Sequence, residues 1–229
     1  MRFQTKNGVL IAQANGETLR IEPWGKDSLR VRATMLPEFS GKDWALTEVP
    51  EKTEAKAEQF EVDHLEIDGS MGKRTSASIT NGKIRAVVNF AGVITFYKEE
   101  QEILREYHRC YDGTISKESR CLKTVNREWK GVIGGSEYSL NLKFESNDEE
   151  KIFGMGQYQQ KYMDLKGCTL ELAQRNSQIS VPFAVSSLGY GMLWNNPAVG
   201  QVTFGKNYTE WTARQVNCTA YFATRGLLL

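Results

Sequence analysis

Residues 153–197 read FGMGQYQQKYMDLKGCTLELAQRNSQISVPFAVSSLGYGMLWNNP. Glycine-punctuated turns alternate here with short runs rich in aromatic, amide and β-branched side chains. Gly154 and Gly156 are expected to serve turn geometry rather than close approach of a ligand. Short strands separated by such turns are the signature of an all-β sandwich.

The same signature extends outward in both directions. Leu29, Val31 and Ala33 alternate with Arg30, Arg32 and Thr34, which predicts a strand with one edge on a core and its arginines in water. Tyr138, Leu140, Leu142 and Phe144 repeat the period of two, as do Ile84, Ala86, Val88 and Phe90. The latter follow Asn81-Gly82, a dipeptide that tolerates the positive φ of a tight hairpin. Pro50 to Ala57 carries no apolar side chain beyond alanine and reads as a solvated loop. Glu99 to Arg109 places Ile103, Leu104 and Tyr107 at helix-like spacing, the pattern of a short amphipathic helix. No internal repeat or Gly/Ser linker divides the chain, so residues 1–229 read as a single domain.

Composition sets the outer limits. Hydrophobic residues make up 40% and charged residues 25%, the ordinary range of a folded globular chain. With 29 basic and 28 acidic residues the net charge is +1, too small a field to draw the chain onto nucleic acid or anionic lipid, and neither partner is expected. The N-terminus lacks the apolar core of a secretory signal and no run reaches membrane-spanning length, so a cytoplasmic address and no membrane partner are expected. Cysteines at 110, 121, 168 and 218 form no Cys-x-x-Cys pair and read as buried free thiols. The sequons at Asn207 and Asn217 read as accidental matches without a signal peptide. His64 and His108 read as structural histidines. Asn147 to Glu150 reads as a solvated turn, because it lacks the alternating ligand spacing of a calcium loop. No metal site is expected.

Ordered motifs carry a resemblance. Phe153-Gly154-Met155-Gly156-Gln157 is similar to the Tyr/Phe-Gly-Leu-Gly-Glu/Gln turn of glycoside hydrolase family 31, the α-glucosidase and α-xylosidase family. Val181-Pro182-Phe183 resembles that family's Pro-Phe strand start, and Gly189-Tyr190-Gly191 with Trp194-Asn195-Asn196-Pro197 its Gly-Tyr-Gly strand and following turn. Gly8 to Arg32 resembles the family's opening strands and Ala77 to Tyr97 its middle hairpins, so the resemblance covers nearly all of the chain. It implies a large antiparallel β-sandwich of the galactose mutarotase-like shape, the N-terminal domain that precedes a catalytic (β/α)8 barrel. It also implies a turn between strands within 99–109, against the helix-like spacing there.

Catalysis in this family is implied to need two carboxyl groups about 5 Å apart that flank the glycosidic bond. Both belong to the barrel, the nucleophile in a Trp-x-Asp-Met-Asn-Glu type segment that this sequence lacks. The resemblance therefore implies no catalytic residue, no cofactor and a chain truncated before the barrel, since Tyr221 to Gly226 resembles the last sandwich strand. Its implied partners are the barrel, an α-linked oligosaccharide in the complete enzyme, and further copies of itself. The runner-up reading is a stand-alone carbohydrate-binding module.

Two groups of residues are implied to serve the barrel. Gly41 to Pro50 resembles the loop that reaches the barrel mouth. There the indole of Trp44 offers a flat apolar face to a pyranose ring, while Asp43 and Glu48 accept hydrogen bonds from hydroxyls. The family's following aspartate is missing, because Thr47 takes its place, and a Trp44 packed back on the sandwich edge stays open. Gln157 and Tyr158, with Gln174, Arg175 and Asn176 of the next polar loop, suit a seam between sandwich and barrel.

Overall fold

The computed structural model of the chain describes residues 1–39, 53–65, 69–109, 124–216 and 220–226. Eighteen strands and no helix occur among the described residues. The largest sheet has eight strands, in the order β1 (Arg2–Lys6), β2 (Val9–Ala14), β3 (Glu17–Pro23), β4 (Ser28–Thr34), β18 (Ala220–Gly226), β15 (Tyr190–Trp194), β14 (Ile179–Ser186) and β12 (Ile152–Gln157). A second sheet orders β5 (Lys56–Leu65), β6 (Met71–Asn81), β7 (Ile84–Val88), β8 (Ile94–Lys98) and β9 (Gln101–Arg105). The third orders β10 (Arg127–Gly131), β11 (Tyr138–Glu145), β17 (Tyr208–Val216), β16 (Gly200–Phe204) and β13 (Thr169–Leu172). All neighbours are antiparallel.

Local sequence explains the tight connections. Asn7-Gly8 and Asn15-Gly16 all take positive φ and close the first two hairpins as two-residue loops, between Lys6 and Val9 and between Ala14 and Glu17. Between β6 and β7 the loop residues are Gly82 and Lys83, not Asn81 and Gly82. Asn81 is the last strand residue, and its buried amide donates to the carbonyls of Ser28 (2.6 Å) and Gly25 (2.8 Å). Its side chain thus ties the second sheet to the first instead of making a turn. Lys56 and Ala57, read as loop, already belong to β5.

One apolar core receives side chains from all three sheets. Ile21, Leu29 and Val31 point into it from the large sheet, Ile79, Ala86 and Phe96 from the second, and Leu142, Phe144 and Trp211 from the third. Trp194 of β15 stacks on Trp211 of β17 at 5.6 Å, which locks the large sheet to the third. Glu106 bridges to Phe144 just past β9, so the second and third sheets form one broken layer opposite the large sheet. This is the expected all-β sandwich.

The junction of the sheets is polar. Arg127 of β10, only 5% exposed, places Nη1 2.6 Å from Oε2 of the fully buried Glu106 and Nε 2.8 Å from Oε1 of Glu17 on β3. Its Nη2 donates to the Gly92 carbonyl at 2.8 Å, and Trp129 Nε1 donates to Glu17 at 2.9 Å. Glu106 also accepts from the backbone of Ile94 and the amide of Asn126. Burial pushes the Glu106 carboxyl above its ordinary range, against the opposing pull of Arg127.

Three further expectations are corrected. Arg30 and Arg32 do not meet water: their side chains are 5% and 11% exposed. β4 lies in the middle of the sheet, where Arg30 lies over the Trp24 ring and Arg32 pairs with Glu22 at 2.7 Å, so neighbouring long side chains cover its outer face. The segment 99–109, open between a helix and a turn between strands, holds the turn that the resemblance implies: β8 turns at Glu99–Glu100 into the strand at 101–105. The register of β9 slips between Phe96–Leu104 and Tyr97–Glu102, and the bulge turns both Ile103 and Leu104 inward, which mimics helical spacing. Glu150 is not solvated: its carboxylate is 5% exposed and accepts from the hydroxyls of Tyr190 (2.6 Å) and Ser186. Burial, then Glu150, pushes the Tyr190 phenol well above its ordinary range.

The third correction concerns Gly154 and Gly156, which lie inside β12 rather than in a turn. From Gly154 to Gly156 the partner strand advances from Ala184 to Ser180, and Pro182, with no N–H to donate, falls in the extra length. Both glycines have φ near +95°, and a Cβ on Gly156 would stand 2.2 Å from the Ile179 carbonyl oxygen. Cys168 is half-buried, and the other three cysteines lie outside the described side chains. Buried His64 packs on Phe90 at 4.6 Å.

Two outcomes follow. Arg127→Met leaves two carboxylates without their cation and should cost about 3–5 kcal/mol in urea unfolding at neutral pH. Without Arg127 the pull that opposes burial is gone, so Glu106 takes up a proton more readily in the folded variant than in the parent, and that deficit should shrink as the pH falls. Gly167→Ala, with φ +83° and open space around it, should cost about 1–2 kcal/mol of left-handed strain. Gly156→Ala should cost clearly more in the same measurement, because the Ile179 carbonyl must also move.

Candidate functional site

Antiparallel order gathers one end of four strands at the same end of the large sheet. There β4 ends at Thr34, β15 ends at Trp194, β14 begins at Ile179 and β12 ends at Gln157. The segment carrying Asp43, Trp44 and Glu48 follows β4 at this end, and those three residues lie outside the described residues. Phe39, near the start of that segment, carries the Arg32 guanidinium over its ring at 5.0 Å.

Two of the five seam residues, Gln174 and Tyr158, meet at Ser180. Gln174 Nε2 donates to the Ser180 carbonyl at 2.8 Å and its Oε1 accepts from the Ser180 N–H at 3.1 Å. A side-chain amide thus imitates a paired strand at the start of β14. The Tyr158 hydroxyl donates to the Glu171 carbonyl at 2.9 Å and lies 2.7 Å from Ser180 Oγ. Arg175 pairs with Glu171, and its backbone bridges to Gln178 across a turn in which Ser177 has φ 68°. Three of the five polar side chains are therefore engaged within the sandwich, where they fix the 173–178 loop against β12 and β14. Gln157, Gln174, Arg175 and Asn176 are all exposed, and no side-chain bond within the sandwich is seen for Gln157 or Asn176 among the described residues.

What the sequence reasoning passed over is the apolar surface beside them. Ile179 and Val181 are 55% and 46% exposed, and Tyr162 and Met163 are 68% and 84% exposed. The signal was present in β14, where Ile179 and Val181 alternate with a buried Ser180, so that the large apolar groups fall on the side away from the core. Among the described residues no three His, Cys, Asp or Glu side chains converge as metal ligands.

No protein-family model matches the chain. A family 31 glucosidase of Pseudescherichia vulneris is 44% identical over 219 residues, 92% of this chain and 39% of its own length. Alpha-xylosidase A of Aspergillus niger is 28% identical over 228 residues, 96% of this chain and 29% of its own. Among solved structures, a family 31 α-xylosidase from a soil metagenome, complexed with xylose, superimposes with a TM-score of 0.88 at 44% identity, covering 98% of this chain and 32% of that one. A Flavobacterium johnsoniae family 31 dextranase at 14% identity and TM-score 0.66 shares the fold. The chain spans well under half the length of each of these relatives. Its strand order, its 153–197 motifs and these matches make the chain an N-terminal β-sandwich domain of glycoside hydrolase family 31.

Proposed function

We propose that the chain is the non-catalytic front domain of a retaining α-glycosidase of the α-xylosidase or α-glucosidase type, and that it supports a catalytic barrel and completes its sugar pocket. The observation that carries this reading is the 44% identity over 219 residues to a glucosidase of which the chain fills only 39%. The absence of the family's Trp-x-Asp-Met-Asn-Glu segment agrees with it. Residues 1–229 act in it as one domain, a reading supported by the single core shared by three sheets.

In this reading the end of the large sheet faces the barrel mouth. Trp44 presents its ring to a sugar of an α-linked oligosaccharide, with Asp43 and Glu48 as hydrogen-bond acceptors. Gln157 and Asn176 donate across the seam, and Tyr158, Gln174 and Arg175 act indirectly, by holding the 173–178 loop in place. The internal bonds of Gln174 and Tyr158 to Ser180 support that division of roles.

Hydrolysis of p-nitrophenyl α-xyloside and α-glucoside should be absent from the chain alone and present when the same chain is joined to its downstream polypeptide. Turnover by the 229-residue chain would overturn the non-catalytic reading. In the joined protein Trp44→Ala should raise KM with little change in kcat, and unchanged kinetics would remove Trp44 from the sugar pocket.

A further inference from the structure

The outer face of the large sheet changes character from one side to the other. At β3 and β4 it is charged, with Arg20 and Arg32 on Glu22. Beyond β18, at β15, β14 and β12, it is apolar. In β14 the inward residues are the small Ser180, Ala184 and Ser186, all buried, whereas Ile179, Val181, Phe183 and Val185 alternate with them on the outer side. Register places Phe183 opposite Leu193 of β15 and Val185 opposite Phe153 of β12, so these side chains share one face. None of Phe153, Phe183, Val185 and Leu193 is fully buried, and Ile179 and Val181 are about half exposed.

A strand with small side chains toward its own core and large apolar ones away from it is built to be covered on both faces. Contiguous exposed apolar surface of this kind marks an interaction site. The bulge at Gly154–Gly156 and the Pro182 backbone spoil the free edge of β12 for strand pairing, so the partner meets the face of the sheet rather than its edge.

We infer that the outer face of β12, β14 and β15 is the docking surface for the catalytic part of the family 31 polypeptide, with Ile179, Val181, Phe183 and Leu193 at its centre. This inference rests on the proposed front-domain role. The occupant follows from length: the 44%-identical glucosidase continues over more than half its sequence beyond the matched region, and in the α-xylosidase structure the same sandwich is 32% of the chain. That larger portion must pack somewhere on the sandwich. This face is an apolar surface adjoining the sheet end from which the Trp44 segment departs. The interface is therefore held by apolar burial, with Gln157 and Asn176 at its polar rim.

Hydroxyl-radical footprinting of the chain alone and of the chain joined to its downstream polypeptide tests this directly. Val181, Phe183 and Leu193 should be labelled in the isolated chain and lose most of that labelling in the joined protein. Equal labelling in a joined protein that hydrolyses α-glycosides would overturn the docking surface and leave the front-domain role standing. A joined protein without hydrolysis would instead remove the front-domain role and the inference with it. Protection in the isolated chain together with a dimer in sedimentation would assign the face to a second copy and overturn the inference. Val181→Asp should leave the melting of the isolated chain unchanged and lower the temperature at which the joined enzyme loses activity. Phe183→Ser serves as the second variant should Val181→Asp disturb β14, and an unchanged inactivation temperature in a folded variant counts against the docking surface.

Discussion

A nearly buried guanidinium ties the layers of this sandwich together. Arg127 holds Glu17 of the large sheet and Glu106 at the seam of the two smaller sheets, and so pins together three sheets whose strands come from distant parts of the chain. Apolar packing alone would let the sheets slide, because hydrophobic contact is non-directional. A buried cation bonded to two carboxylates and the Gly92 carbonyl has only one good geometry. Across the sandwich, Trp211 of β17 stacks on Trp194 of β15 and adds an apolar tie between the same layers.

Once the layers are fixed, the large sheet has two different outer surfaces. Its β3–β4 side is closed by its own charges, since Glu22 is shared among arginines. Its β12–β14 side is apolar, with Ile179 and Val181 exposed and Phe183 and Leu193 half-buried. A stand-alone binding module would have little reason to place Ile179 and Val181 in water. A domain joined permanently to a larger one would cover them. The loop order supports the same division, because the polar side chains around Ser180 stiffen the margin and the neighbouring apolar ones supply the area.

Much of this was legible in the sequence. Period-two patterns at 138–144 and 84–88 gave correct strands with the correct inner faces, because one face of each is buried and the other is not. Polarity misleads where that condition fails. At Arg30 and Arg32 both faces of the strand are covered, so polarity no longer reports exposure. At Ile103–Leu104 a bulge sends consecutive residues inward, and no local pattern separates that from a helix turn. At Gln174 a sequence shows that the amide can bond and not that the Ser180 backbone already satisfies it. The apolar outer face went unnoticed because Ile179 and Val181 look like any other core residues until Ser180 is seen to be the one that is buried.

Complementation in trans tests the central claim most directly. The chain and its downstream polypeptide, produced separately, would be mixed and assayed on p-nitrophenyl α-xyloside and α-glucoside. If the sandwich is the front domain of a family 31 enzyme, hydrolysis by the downstream piece should rise with added chain and saturate, with no turnover by the chain itself. Full activity of the downstream piece without the chain, or turnover by the chain on its own, would contradict the account.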